Sequence, residues 1–157
     1  MRNPTHCHRF LKVGNRWTYE HDWKSGDRNR PAAARWTIEE TITGQVTIPE
    51  GLVVLRAVKQ SNLTYAPSWL IARDSTPYLV HKGCVYVIGD GWNRQHLALV
   101  EPPREDGRLH IFCSHFGSGG AIDVWFQNDV GVVEEHYIHN GTYDEYTKKL
   151  LAFMPGQ

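Results

Sequence analysis

Apolar and polar side chains alternate with a period of two residues along much of this chain. In the segment 16–23, Trp17, Tyr19, His21 and Trp23 occupy the odd positions, while charged or hydroxyl-bearing residues fill the even ones. A period of two places successive side chains on opposite faces of a β-strand. The segment therefore predicts a strand with one aromatic, inward-facing side.

The same pattern predicts further strands downstream. Trp36, Ile38, Glu40 and Ile42 alternate with polar residues in a second strand, and a more continuously apolar third strand follows at 52–58. The remaining strand candidates lie at 78–81, 84–88, 97–100, 109–113, 122–126, 131–139 and 142–153. No long stretch has the 3.6-residue period of an amphipathic helix.

These elements predict an all-β protein with little helix. We expect about eight to ten mostly antiparallel strands in a single curled sheet that forms a barrel or half-barrel. No internal repeat and no linker divides the sequence, so residues 1–157 are expected to form one β domain, with residues 1–9 as a mobile tail.

Composition narrows the classes of partner. Lys and Arg together number 17, as do Asp and Glu, so the formal net charge is zero. Nucleic-acid binding and attachment to an anionic membrane surface both need a one-signed electrostatic surface, and neither is expected here. No apolar run is long enough for a transmembrane segment. The unusual features are six Trp and seven Tyr in a neutral chain, and the sequence leaves the oligomeric state open.

Three polar residues fall on the same inward faces as the aromatic residues. Glu40 lies between apolar neighbours on the second strand, and burial of an unpaired carboxylate is costly. Arg56 shares a face with Val54 on the third strand and is the expected partner. His21 lies between Tyr19 and Trp23. The alternative interpretation is a purely structural Glu40–Arg56 ion pair.

Three functions are compatible with this arrangement, and none requires a cofactor. The first is a binding module for a small apolar or lipid-like ligand, because such sites combine apolar walls with a few polar groups. Its ligand-binding residues would be Trp17, Tyr19, Trp23, Trp36 and Arg56. The second is an enzyme of the lyase, isomerase or cyclase type, with Glu40 or His21 as the general base. The third is an interaction domain whose strand edges pair with a partner.

Asn140-Gly141 predicts a hairpin with a two-residue type I′ turn, in which both central residues have positive φ. In that register His136 lies opposite Glu145. A histidine paired with a carboxylate is half of a catalytic arrangement. Cross-strand pairs of this kind also stabilise sheets, and with no nucleophile nearby the structural role is favoured.

Cysteine and histidine occur together in two short segments. His6-Cys7-His8 and the strand positions Cys113 and His115 offer ligand types suited to zinc or copper. Neither segment has the paired spacing of a zinc motif, so no metal site is predicted. Cys84 and Cys113 either form one disulfide or remain reduced thiols.

Two short segments resemble the ends of small bacterial β proteins of unknown function that are secreted or lipid-anchored. The segments are FLKVGNRWTY at 10–19 and DVGVVEE at 129–135, the latter followed by Gly141 and LLAF at 150–153. These proteins are similar in plan to lipoprotein-carrier folds, in which a curved antiparallel sheet holds a lipid-like ligand. The resemblance implies the fold more than the function, together with a secreted or periplasmic location. It supplies no catalytic residues. The chain departs from the pattern, because residues 1–9 contain no signal peptide and no apolar run precedes Cys7.

Overall fold

β-Strands make up the regular structure of the described chain. This computed structural model describes residues 11–29, 32–49, 51–61, 78–81, 84–87, 97–99, 108–114, 120–127, 129–141 and 144–157. The strands are β1 (Arg16–Lys24), β2 (Ala33–Ile48), β3 (Gly51–Ser61), β4 (Tyr78–His81), β5 (Cys84–Val87), β6 (Leu97–Leu99), β7 (Arg108–Ser114), β8 (Gly120–Gln127), β9 (Gly131–His139) and β10 (Glu145–Met154). No helix occurs in these ranges, and accordingly none of them contains a membrane-spanning helix. The predicted all-β class is confirmed.

The strands form one antiparallel sheet in the order β5-β4-β3-β2-β1-β10-β9-β8-β7-β6. Strands that follow one another in the chain are neighbours in the sheet, with β5 and β6 as the exception, and β1 pairs with β10. The two outermost strands are therefore consecutive in sequence. The sheet curls into a half-barrel, as predicted.

The chain length between the outermost strands requires a curled sheet. Ten flat strands about 4.8 Å apart would place the first and last about 43 Å from each other. Val87 ends β5 and Leu97 begins β6, which leaves ten residue steps between them (97 − 87). Ten steps reach about 36 Å at most when fully extended. A flat sheet would therefore exceed the reach of its own connection.

Three β-bulges contribute to the curvature. In each bulge one residue has no partner in the neighbouring strand. These residues are Thr43 in β2, Leu151 in β10 and Val133 in β9. A bulge bends its strand and increases the local twist. The bulge in β2 begins after Ile42. Glu40 therefore keeps the inward orientation that uninterrupted alternation predicts.

The concave face of the sheet holds the apolar core. Its aromatic rings pack in pairs, with Tyr137 stacked on Tyr146 at 5.1 Å and Trp17 against Phe153 at 5.4 Å between ring centroids. The buried apolar residues are Leu11, Trp17, Tyr19, Trp23, Ala34, Trp36, Ile38, Ile42, Val54, Ile122, Val124, Val132, Tyr137 and Tyr146. Their alternation along each strand is what the sequence pattern predicts for β1 and β2.

Side chains from β1 also reach the start of β9 across the concave face. The pairing of β10 with β9 ends at Glu134, so the backbone before that residue lies beyond the ladder. Trp17 donates its indole N–H to the carbonyl of Val130, and the Tyr19 hydroxyl donates to the carbonyl of Val132 at 2.9 Å. These bonds give hydrogen-bond partners to two carbonyl groups that the ladder with β10 does not reach.

The predicted register of the last hairpin is wrong by two residues. Glu145 pairs with Ile138, and the His139 amide donates to the carbonyl of Asp144 at 2.9 Å, so His139 meets Asp144 where a two-residue loop would have placed residue 142. A type I′ turn requires positive φ at both central residues. Neither Asn140 nor Gly141 has positive φ. Because the shift is an even number of residues, every side chain keeps its predicted face.

The two ends of the described chain are joined at the edge of the core. The Gly156 amide donates to the buried Asn15 side-chain oxygen at 2.8 Å, and the Gly14 amide donates to the Ile42 carbonyl at 2.9 Å. A Cβ atom at Gly156 would lie 2.8 Å from the carbonyl carbon of Gly14. Such an approach is too close for any side chain.

Gly156→Ala is therefore expected to lower the free energy of unfolding by about 1–3 kcal/mol, the usual cost of overpacking. Gly44→Ala is the matched control, because its added Cβ would lie 3.7 Å from Leu55 Cδ1, an ordinary contact. Urea denaturation of both variants measures the difference. Equal free energies of unfolding for the two variants would contradict this prediction, because they would show that the backbone accommodates the added methyl group at Gly156 without loss of stability.

Candidate functional site

A buried ion pair joins β2 and β3 on the concave face. Arg56 Nη1 on β3 is 3.1 Å from Glu40 Oε2 on β2, and both side chains are only 3% exposed. Glu40 faces inward because it continues the even-numbered apolar positions of β2, and Arg56 does so on the neighbouring strand. The pairing expected from sequence is present.

Two further charged residues extend this pair across the sheet. Lys148 on β10 is 4% exposed, and its Nζ atom lies 3.9 Å from both Glu40 Oε2 and Glu135 Oε1, the latter on β9. The same ammonium lies 4.3 Å above the centre of the Tyr19 ring, a cation–π contact. The Tyr146 hydroxyl donates to Glu135 Oε2 at 3.3 Å. We call Glu135, Lys148, Glu40 and Arg56 the charged belt.

The charged belt crosses the strands diagonally. Lys148 is the register partner of both Glu135 and His21, whereas Glu40 pairs with Trp17, which lies four residues before His21 in β1. The Lys148 side chain therefore passes over the intervening Tyr19 ring to approach Glu40. Strands in barrels are tilted relative to the barrel axis, so a diagonal row can follow the curvature of the sheet.

Sequence analysis missed Lys148 and did not assign Glu135 to the concave face. The available signal was local, because Tyr146, Lys148 and Leu150 alternate along β10. Lysine on such a face is usually exposed or extends its ammonium to solvent. The placement of Lys148 depends on pairing between β1 and β10, which joins the two ends of the chain.

The four described members of the charged belt offset one another's charge. Arg56 and Lys148 contribute two positive charges, and Glu40 and Glu135 contribute two negative charges. Buried ions are tolerated only when opposite charges and hydrogen bonds compensate for lost hydration. Removal of a single member would leave an uncompensated charge on the concave face.

Aromatic side chains surround the charged belt. We call Trp17, Tyr19, Trp23 and Trp36 the aromatic wall, and all four are buried. His21 is fully buried within it, with its ring 4.9 Å from that of Trp36 in an edge-on contact and 5.1 Å from that of Tyr146. All the sequence-predicted site residues thus share one face of three adjacent strands.

The arrangement is suited to binding a polar group in apolar surroundings. Arginine and lysine side chains are hydrogen-bond donors only, whereas ionised glutamates are acceptors only. A group that enters between them can therefore meet both kinds of partner. Proton abstraction by Glu40 would compete with Arg56 and Lys148, which both approach the same carboxylate oxygen.

The outward face carries two histidine–carboxylate pairs. His136 Nε2 lies 2.7 Å from Glu145 Oε1, so the predicted contact forms as a diagonal pair despite the shifted register. His110 Nε2 lies 2.8 Å from Asp123 Oδ1, and its ring stacks on Trp125 at 4.4 Å. Among the described residues, no three metal-binding side chains are grouped to hold an ion.

An exposed ion pair lies on the same outward face, between β1 and β2. Arg35 Nη2 is 2.8 Å from Asp22 Oδ2. Hydrogen bonds to Asp22, together with the negative charges of Asp22 and Glu20, raise the pKa of Arg35 above its usual value. Arg35 is therefore charged throughout the physiological range, and the pair is a surface feature of the sheet.

The cysteine and histidine segments lie outside the side chains that the structure describes. His6, Cys7, His8 and His115 are not among the described residues, and only the backbone is described at Cys84 and Cys113. The disulfide and metal alternatives therefore remain as sequence analysis leaves them.

The solved structures that this chain is similar to include two bacterial proteins of low sequence identity. No protein-family model matches the chain, and no curated protein matches it. An exported-type protein with a YmcC-like fold from Bacteroides fragilis has 11% identity and a TM-score of 0.33, covering 92% of this chain and 97% of its own. A DUF1329 family protein from Desulfovibrio piger has 6% identity and a TM-score of 0.32, covering 96% of this chain and 89% of its own. TM-scores this low assign no function, which must be inferred from the residues of this chain.

Glu40→Gln is expected to lower the free energy of unfolding by about 3–5 kcal/mol, because it leaves Arg56 and Lys148 buried without their shared anion. Glu39→Gln is the control. Glu39 lies on the outward face in a half-exposed pair with Arg16 at 3.9 Å, and its change should cost about 1 kcal/mol or less. Chemical denaturation of both variants is the measurement. Similar losses in the two would mean that Glu40 is not the shared counter-ion described above.

Proposed function

We propose that this protein is a binding module for a small apolar or lipid-like ligand, held on the concave face of the half-barrel. The aromatic wall would contact the apolar body of the ligand, and the charged belt would orient its polar group. The observation that carries this proposal is the position of four charged side chains in the middle of an aromatic, buried surface.

Stability alone does not account for the charged belt. Replacement of a buried ion pair by apolar residues of similar size is often neutral or stabilising, since the cost of dehydrating the charges disappears. A half-barrel of this size could therefore be held together by an entirely apolar concave face. Retention of Glu40, Arg56, Glu135 and Lys148 is better explained by a requirement to recognise something.

The chemistry of the surface fits small-molecule sites. Such sites are mostly apolar and contain a few polar groups that fix the orientation of the ligand. Here the aromatic wall supplies the apolar contact, while Arg56 and Lys148 supply donors beside the acceptors of Glu40 and Glu135. The resemblance of the terminal segments to secreted β proteins supports the same kind of function by analogy.

The enzymatic alternative has less support. Its candidate bases are Glu40, which is engaged by two cations, and His21, which is enclosed by the rings of Trp36 and Tyr146. A general base has to reach the proton that it abstracts. Both residues are already occupied by neighbouring side chains.

Titration with the apolar fluorophore 1-N-phenylnaphthylamine tests the proposal. We expect saturable binding with about one site per chain, seen as increased fluorescence of the probe. Val58→Phe should weaken this binding at least tenfold, because Val58 pairs with Glu40 and packs against the concave core, where a larger side chain would occupy the proposed site.

Leu55→Phe is the matched control, since Leu55 lies on the same strand with its side chain exposed on the opposite face. It should bind the fluorophore like the unmodified protein. Non-saturable binding to folded protein, or equal weakening by both substitutions, would contradict the proposal. Circular dichroism establishes that each variant retains its β-structure.

A further inference from the structure

We infer that Asn140 is a site of spontaneous covalent modification, at which the side chain loses its amide nitrogen and the residue becomes aspartate or isoaspartate. The inference concerns the turn that follows β9 and is independent of the proposed binding function. It rests on the exposure of Asn140 and Gly141, on the lack of hydrogen bonds from them to any described residue and on the missing side chain of Gly141.

The reaction needs no partner other than water. The backbone nitrogen of Gly141 attacks the side-chain carbonyl carbon of Asn140, so a new C–N bond forms. The bond from that carbon to the amide nitrogen breaks, and the nitrogen leaves as ammonia with the proton of the Gly141 amide. Water then opens the cyclic succinimide at either carbonyl, which gives aspartate or isoaspartate. Both reacting groups belong to adjacent residues, so proximity favours the attack.

The structure leaves the two reacting groups accessible. Asn140 and Gly141 follow His139, the last residue of β9, and both are exposed. The His139 amide donates to the carbonyl of Asp144 at 2.9 Å and so closes the hairpin before this turn. Among the described residues, none accepts from the Gly141 amide and none bonds to the Asn140 side chain. Cyclisation therefore breaks no hydrogen bond to the described part of the chain.

Glycine at position 141 removes the main steric obstacle to ring closure. A side chain on the attacking residue would crowd the new ring, whereas glycine has none and adopts the widest range of backbone conformations. The other described asparagines lack this advantage. Asn15 is buried and followed by arginine, and Asn29 is exposed but also followed by arginine. We therefore expect Asn140 to react first among the described asparagines.

The modified protein is expected to remain folded. Isoaspartate continues the chain through its side chain and so adds a carbon atom to the backbone. At residue 140 this atom lies beyond the bond between His139 and Asp144, outside the ladder of β9 and β10. Glu135 and Lys148 pair within that ladder, so the charged belt keeps its register.

Incubation of the folded full chain in mildly alkaline buffer, followed by digestion and mass spectrometry of the peptides, tests the inference. The exchange of an amide group for a hydroxyl changes the mass of each converted peptide, and chromatography separates aspartate from isoaspartate. We expect Asn140 to convert at least tenfold faster than Asn29, the exposed asparagine of the same molecule, and to give both products. Conversion of Asn140 no faster than that of Asn29 overturns the inference.

Gly141→Ala tests the route. Its added Cβ would lie 3.0 Å from Cε1 of His139, at the end of a side chain that can rotate, so the variant should fold. Conversion of Asn140 should slow at least tenfold, because the methyl group hinders attack by the amide. Gly44→Ala is the control, since its Cβ makes an ordinary contact far from the turn, 3.7 Å from Leu55 Cδ1. An unchanged rate in Gly141→Ala, or equal slowing in both folded variants, overturns the succinimide route.

Discussion

The requirement that buried charges be neutralised governs the concave face of this half-barrel. Glu40 shares one carboxylate oxygen between Arg56 at 3.1 Å and Lys148 at 3.9 Å, and Lys148 in turn lies 3.9 Å from Glu135. These contacts join β2 to β3 on one side and to β10 and β9 on the other. The four side chains offset one another's charge, so strand order, register and charge pattern depend on one another.

That dependence is met by a simple topology. The chain runs back and forth between neighbouring strands, and pairing of β1 with β10 joins its two halves. Without that pairing, Lys148 and Glu40 would belong to separate parts of the sheet. The side chains of Trp17 and Tyr19 strengthen the junction by donating to the carbonyl of Val130, just before β9, and to that of Val132 in β9, both beyond the end of the ladder with β10. The site therefore spans the junction between the two halves of the sheet.

Local alternation was enough to predict the inward faces of β1 and β2, and hence Glu40 among the aromatic residues. The prediction for Glu40 is correct because the bulge in β2 falls after Ile42, so the alternation is uninterrupted up to Glu40. Long-range information was missing at two places. Lys148 is on the concave face because of a pairing between distant segments, and the register of the last hairpin is set by a connection in which Asn140 and Gly141 avoid positive φ. Neither the position of Lys148 nor the register of the last hairpin can be predicted from the composition of a single segment.

The central claim is that the charged belt serves recognition and contributes little to net stability. The most direct test is the free energy of unfolding of a variant that replaces the whole belt with apolar residues, Glu40→Leu, Arg56→Met, Glu135→Leu and Lys148→Met. The expected result is a stability equal to that of the unmodified protein or higher by about 1–4 kcal/mol, because the four substitutions remove the cost of dehydrating the charges of the belt. A loss of several kcal/mol in a variant that still folds would contradict the claim and make the belt a structural element of the core.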